Sequence, residues 1–287
     1  MTDGVLVVDK PAGMTSHDVV DRVRKALKTK KVGHAGTLDP DATGLLVIGI
    51  GRATRFLTYA QSGPKRYAAE SRFGIATSSQ DASGDVIQKS DGTVTEDHVR
   101  AALDAFTGEI QQVPPMVSAV KVGGERLYAK ARRGEEIERA PRAVTIHSFE
   151  LRAFDAAAQT ARFDLTCSSG TYVRTLIHDL GQALGVGAHM TSLRRTETSG
   201  FSLYDAIALD AVAEDVVRPL QEVARLLPKI KLDPELATDV GYGRALPGDI
   251  APELAEGSPA ALTFEDELVA VYRRAADRLV PDRVVSQ

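Results

Sequence analysis

Apolar residues change their period several times along the chain, and each change marks an element. Residues 4–8 form a short β-branched run closed by Asp9-Lys10-Pro11-Ala12-Gly13, which reads as a strand and its turn. Ser16 then stands as an N-cap, and Val19, Val20, Val23 and Leu27 recur at helical spacing with basic residues on the opposite face. Residues 45–50 are continuously apolar, as in a buried strand. Residues 66–73 alternate and predict another strand, and 99–107 predict a helix. Val113-Pro114-Pro115-Met116 fits neither a helix nor a central strand, and charge and glycine dominate from there to about Pro141, a candidate mobile loop. Residues 144–154 and 160–167 read as a hairpin pair, broken by Ser168-Ser169-Gly170. Residues 171–184 then read as a helix with Val173, Leu176, Ile177 and Leu180 as its apolar stripe. Near Pro228 the pattern breaks into short segments around Pro234, Gly241, Gly243, Pro247, Gly248 and Pro252, followed by a strand at 268–272. The expectation is an α+β protein with a large domain over 1–228 and a small β-rich domain over 229–287.

With 287 residues and 43% hydrophobic content, the chain has enough material for one large core and a smaller one. No stretch approaches the roughly 20 apolar residues of a membrane span, and Met-Thr-Asp-Gly is no signal peptide. Cys167 is the sole cysteine, which excludes an internal disulfide and a multi-cysteine zinc site and fits a reducing cytoplasm. The net charge of −4 conceals an asymmetry: residues 205–287 carry 9 basic and 16 acidic side chains, leaving the rest net positive. Within that rest, 22–31 hold six cations and no acid, and 126–133 hold four, with Arg52, Arg55, Lys65 and Arg66 between them. Such a distribution makes a phosphate-binding surface plausible.

The richest stretch for chemistry is Gly33-His-Ala-Gly-Thr-Leu-Asp-Pro-Asp-Ala-Thr-Gly-Leu-Leu46. Pro40 keeps Asp39 out of helical geometry, glycines allow close approach, and His34 stands nearby, so the turn reads as a functional loop around one carboxylate. Two apparent motifs fail. Asp39-Pro-Asp-Ala-Thr43 resembles the aspartyl-phosphate signature, but there the apolar strand precedes the Asp and here it follows. Gly49-Ile-Gly51 follows a strand as a dinucleotide-binding turn would, yet lacks the third glycine.

The chain resembles the TruB family, the pseudouridine synthases that modify uridine 55 in the T loop of tRNA. The resemblance rests on Gly4–Ser16, Gly33–Leu46, Lys65-Arg-Tyr67 with Phe73-Gly74, and Pro114–Lys121 with Gly124 and Tyr128. It also rests on Ser169-Gly-Thr-Tyr-Val-Arg-Thr-Leu-Ile-His-Asp-Leu-Gly181 and Leu193-Arg-Arg195, all in the family's order. Residues 77–85 match loosely, with Asp81 where an Asp is usual, and Ser169 replaces a frequent lysine. The C-terminal segment looks like a short PUA-like appendage.

The resemblance implies a pseudouridine synthase fold, with a mixed, mainly antiparallel central sheet flanked by helices and loops, and a segment near 113–142 that binds RNA. It implies an isomerase that flips its uridine out, without cofactor or metal, on the T-arm stem-loop of tRNA, acting as a monomer with no obligatory protein partner and no membrane. Asp39 is then the catalytic carboxylate, whether by attack at C6, attack at C1′ or elimination to a glycal. Arg174 keeps Asp39 ionised. Tyr67 is the aromatic platform and a possible proton carrier. Tyr172 and Leu193 line the base, His34 reaches the RNA, and Lys10 and Arg66 contact phosphate. His178 and Cys167 read as structural. The alternatives are a synthase acting on another RNA and a non-catalytic tRNA-binding or folding chaperone, against which Asp39 and Arg174 argue, because phosphate binding gains nothing from a carboxylate.

Overall fold

The computed structural model describes residues 2–116, 121–122, 125–126 and 137–285. The chain divides into two units, one of Met1–Pro40, Gly44–Gly63 and Thr198–Gln287, the other of Asp41–Thr43 and Pro64–Glu197.

In the first unit, β1 (Gly4–Lys10), α1 (Ser16–Ala26), β2 (Val32–His34) and β3 (Thr43–Ile50) follow in order. β3 pairs antiparallel with β1, from Gly4↔Ile50 to Lys10↔Gly44, and with β2, from Val32↔Ile50 to His34↔Ile48. Successive side chains of a strand point to opposite faces, and this divides the apolar runs in two. Val5, Val7, Leu45 and Val47 pack with Phe56, Tyr59 and Phe201. Leu6, Val8, Leu46, Ile48 and Ile50 pack with Val19, Val20, Val23 and Leu27 of α1. Both faces are covered, so the run needs no polar alternation.

Thr15, rather than Ser16, caps α1. Its hydroxyl accepts from the Asp18 amide (3.1 Å) while the Asp18 carboxylate accepts from the Thr15 amide (2.8 Å), a capping box. Helix α2 (Leu57–Gln61) explains the first glycine of Gly49-Ile-Gly51. A Cβ at Gly49 would stand 2.9 Å from Leu57 Cδ2, so the residue is glycine for close packing. At the turn that follows, the Arg52 amide and Nε both donate to the Asp3 carboxylate at 2.6 Å, where a cofactor phosphate would have to sit.

The second unit is built on β4 (Lys65–Phe73), the short hairpin β5 (Ile75–Thr77) and β6 (Val86–Lys89), and α3 (Glu96–Leu103). It continues with β7 (Gly108–Gln112), the two-residue strands β8 (Lys121–Val122) and β9 (Glu125–Arg126), β10 (Arg142–Asp155), β11 (Thr160–Cys167), α4 (Val173–Ala183) and β12 (Ala188–Thr198). Its strands lie in the order β12-β4-β11-β10-β7. The β10–β11 hairpin and the β4–β11 and β7–β10 pairs are antiparallel. The helix expected at 99–107 starts three residues earlier, because the Thr95 hydroxyl caps it by accepting from the His98 amide at 3.2 Å, and it gives way to a 3₁₀ turn after Leu103. Residues 113–116 form neither helix nor strand, as their prolines require. Most of the loop expected over 113–142, with Gly124 and Tyr128, lies outside the described residues.

The chain then returns to the first unit through β13 (Phe201–Ser202) and β14 (Ile207–Ala208), the latter parallel to β1. The C-terminal part holds β15 (Lys229–Lys231), α5 (Pro234–Gly241), β16 (Leu246–Pro247), β17 (Pro259–Phe264), β18 (Glu267–Ala275) and β19 (Arg278–Val284). Its five strands form a separate sheet in the order β15-β17-β18-β19-β16. The class is α+β with a β-rich C-terminal part, as the alternation of elements predicts. That sheet has a core of its own around Leu262, Tyr272 and Leu279. Yet Ala261, Leu268 and Val271 of the same strands pack with Val5, Val7 and Leu45.

Candidate active site

Asp39 is half-buried, and the residues on both sides of it are tied down by the segment that follows β1. Buried Ser16 donates its hydroxyl to the Leu38 carbonyl (3.2 Å) and accepts from the Leu38 amide (2.9 Å). The Pro40 carbonyl accepts from the Gly13 amide (3.0 Å) and from Lys10 Nζ (2.9 Å). Gly13 has a φ of +78°, which glycine adopts without strain. The Lys10 ammonium also donates to the carbonyls of Pro11 (2.9 Å) and Met14 (2.5 Å), and the side chain is fully buried. An ammonium has three hydrogens, and these three carbonyls take them. This corrects the expectation of a phosphate contact at Lys10: desolvated and engaged, it knits the Asp9–Met14 turn to the Asp39 turn. The two sequence motifs are thus two halves of one loop cluster.

His34, at the end of β2, pairs with Ile48, and its ring meets that of His17 edge-on at 6.4 Å.

In the second unit, Arg174 occupies the first turn of α4 and is 3% exposed. Its Nη1 donates to Asp81 Oδ2 at 3.2 Å and to the Ser79 carbonyl at 3.3 Å. The other oxygen of Asp81 accepts from the Ser79 hydroxyl (2.6 Å), the Ser83 amide (3.0 Å) and the Ser83 hydroxyl (2.6 Å). Burial pushes the Asp81 carboxyl up, but the serine donors and the Arg174 guanidinium together hold it below its ordinary range. The turn is fixed further by the Thr175 hydroxyl donating to Gln80 Oε1 (2.7 Å) and the Met190 amide donating to the Gln80 carbonyl (3.0 Å). The sequence assigns Asp81 no role; its signal is an acid among serines in a turn, and its partner lies 93 residues away.

Tyr172 stands at the N-cap of α4, and a single side-chain amide aligns it: Gln112 accepts from its N–H (2.7 Å) and donates to its carbonyl (3.0 Å). The Arg142 guanidinium lies over the Tyr172 ring at 5.9 Å. Tyr67 is buried on β4, paired with Leu165, and Leu193 is buried on β12. Next to Tyr67 along the strand, Arg66 is 43% exposed and ion-paired with Glu197 at 3.3 Å.

Lys65 Nζ donates to the Ser169 hydroxyl at 2.9 Å. Burial, with the Arg195 guanidinium as a second cause, lowers the Lys65 ammonium to about 8. A cation therefore reaches position 169 from the neighbouring strand although residue 169 itself is a serine. Cys167 is buried, and its thiol is pushed up to about 11 by burial, so it remains protonated, in keeping with a structural residue. His178 lies on α4.

Among the described residues no three or more His, Cys, Asp or Glu side chains are grouped to hold a metal ion, and no helix is long and apolar enough to cross a membrane. Asp39 and His34 belong to the first unit, and Tyr67, Tyr172, Arg174 and Leu193 to the second.

Comparison with known proteins converges on one family. Residues 24–173 match the model of the TruB family pseudouridylate synthase N-terminal domain. Residues 174–230 match that of the tRNA pseudouridylate synthase B C-terminal domain. The chain is 48% identical over 277 residues to a tRNA pseudouridine synthase B from Arthrobacter sp. (strain FB24), covering 94% of this chain and 89% of that one. It is 42% identical to the protein of the same name from Streptococcus pneumoniae serotype 4, covering 99% and 100% respectively. Among solved structures, a chain of a Cbf5-Nop10-Gar1 complex superposes with a TM-score of 0.76 at 28% identity, over 98% of this chain and 83% of that one. A chain of an H/ACA RNP bound to a substrate RNA containing 2′-deoxyuridine gives 0.76 at 25% identity, over 99% and 85%. The chain therefore belongs to the TruB family of pseudouridylate synthases.

Proposed function

We propose that this protein isomerises uridine 55 in the T loop of tRNA to pseudouridine, with Asp39 as the catalytic carboxylate. The reading rests above all on the clamp around Asp39: Leu38 is held through both its amide and its carbonyl by Ser16, and Pro40 through its carbonyl by Gly13 and Lys10. A turn fixed on both sides presents one acid in one place, as a group that must meet a sugar or a ring carbon requires.

In the reaction the N1–C1′ bond breaks, the uracil turns, C5 bonds to C1′, and the proton lost from C5 is balanced by one gained at N1. Asp39 attacks C6, attacks C1′ or removes a sugar proton; each route starts from its ionised form. The reading gives Arg174 the part of keeping it ionised, and Asp81 holds Arg174 through Nη1 at 3.2 Å. The uridine leaves its stack at a cost of a few kcal/mol. Stacking on Tyr67 returns roughly 1–3 kcal/mol, with Tyr172 and Leu193 closing the pocket and His34 meeting the nucleotides around the vacated position.

Incubation of the protein with unmodified tRNA, followed by carbodiimide-dependent primer extension, should give a stop adjoining position 55. Asp39→Asn should abolish that stop while tRNA affinity stays within several-fold. Turnover by the Asn variant comparable to wild type removes Asp39 from the mechanism. A stop elsewhere reassigns the target.

A further inference from the structure

Helix α1 ends on an unfavourable residue. Lys28, the first residue beyond the C-cap Leu27, has a φ of +49°, the left-handed conformation in which glycine is the usual occupant. The Lys28 amide donates to the Lys25 carbonyl (3.4 Å) and the Thr29 amide to the Arg24 carbonyl (3.1 Å), the pair of bonds that closes a helix around such a residue. A lysine held where glycine would be relaxed is a local cost, and such costs gather where a side chain has a task.

Lys28 is also the centre of a row. Arg22 and Lys25 precede it at three-residue spacing on α1, and Lys30 and Lys31 follow before β2. All five are exposed. None of their side chains has a hydrogen bond or ion pair among the described residues, whereas Arg24 between them is bound to Asp21 (2.8 Å) and to the Val32 carbonyl (3.1 Å). Like charges at helical spacing repel, and the proximity of the helix C-terminus offsets that only in part. The apolar residues among them, Val23 and Leu27, are buried in the core, so the row offers no anchor for a membrane or a protein hot spot. It suits a polyanion. It also leads directly into β2, with Lys31 three residues before His34, about 10 Å along an extended chain, in the same unit as the Asp39 turn.

We infer that Arg22, Lys25, Lys28, Lys30 and Lys31 grip the phosphate backbone of the RNA stem that adjoins the target loop. The inference rests on the proposed reading and adds to it a binding surface outside the reaction centre. It is tested with two proteins, Lys28→Gly and the fourfold Lys25→Gln/Lys28→Gly/Lys30→Gln/Lys31→Gln. Glycine relaxes the backbone at 28, so Lys28→Gly should melt at or above the wild-type temperature. Its binding to full-length unmodified tRNA should weaken several-fold, and the slope of log affinity against log salt should fall by about one. The fourfold variant should lose roughly 100-fold in affinity near 0.1 M salt with a slope reduced by about three to four. Its single-turnover rate at saturating enzyme should stay within twofold of wild type. On a hairpin cut back to the loop-closing pairs, variant and wild type should bind alike. An unchanged slope on full-length tRNA overturns the inference, as does equal weakening on the cut-back hairpin. If wild type forms no pseudouridine in any RNA while the slope still falls, the catalytic reading fails and the grip stands.

Discussion

Asp81 is a carboxylate with three donors on one oxygen and the Arg174 guanidinium on the other. Neither member of the ion pair is well solvated: the Arg174 side chain is 4% exposed and that of Asp81 17%. Removing Asp81 takes a carboxylate away from a buried guanidinium, so Asp81→Ala should cost about 1–3 kcal/mol in urea unfolding. A carboxyl held below its ordinary 3.8 contributes stability that is present above that value and lost as the pH falls below it. The gap between wild type and Asp81→Asn should therefore close in acid. If Asp81 orients Arg174 for catalysis, Asp81→Asn should also slow single-turnover pseudouridine formation on the order of 100-fold with tRNA affinity unchanged. A wild-type rate in that variant would reduce the pair to a structural tie. The motifs assign Arg174 to Asp39 and give no sign of Asp81 as a partner, because pairing over 93 residues is a product of folding.

At the scale of elements, Thr15 and Ser16 are neighbours with unlike tasks. Thr15 closes the capping box of α1, and Ser16 fastens Leu38 next to Asp39. Thr15→Ala should cost about 1 kcal/mol of stability, read from the urea midpoint, and leave kcat within twofold. Ser16→Ala leaves a buried amide and carbonyl unpaired, which costs about 1–3 kcal/mol. It also frees the turn that carries the carboxylate, so kcat should fall at least tenfold; equal kinetics for the two variants would refute the clamp. Both residues are good N-caps by type, and what separates them is that Ser16 faces a loop whose position no local pattern reveals. Lys10 is a similar case. Its charge suggests a phosphate contact, but its ammonium is taken by two carbonyls of its own turn, Pro11 and Met14, and by that of Pro40, thirty residues on.

For the whole molecule, the C-terminal sheet has its own core around Tyr272 and Leu279, while Ala261, Leu268 and Val271 share a second core with β1 and β3. The Tyr59 hydroxyl adds a bond to Asp282 at 2.9 Å. Deleting 229–287 should therefore lower the melting temperature of the remainder and expose apolar surface to a dye such as ANS; an unchanged melting temperature would make the segment a detachable domain. The sequence by itself determined the α+β class, strands β1, β3, β4, β10, β11 and β18, and helices α1, α3 and α4, but not the long strand β12, since residue period and turn chemistry are local properties of the chain. It also marked Asp39 as the residue to examine, because a proline, glycines and an isolated acid announce a constrained turn. Tertiary structure alone decided that Lys10 turns inward, that Ser16 clamps Leu38, that Asp81 meets Arg174, and that C-terminal apolar residues complete the N-terminal core. Each is a contact between segments far apart in sequence. Partners of that kind are selected by the packing of the whole fold, which residue-by-residue periodicity does not encode.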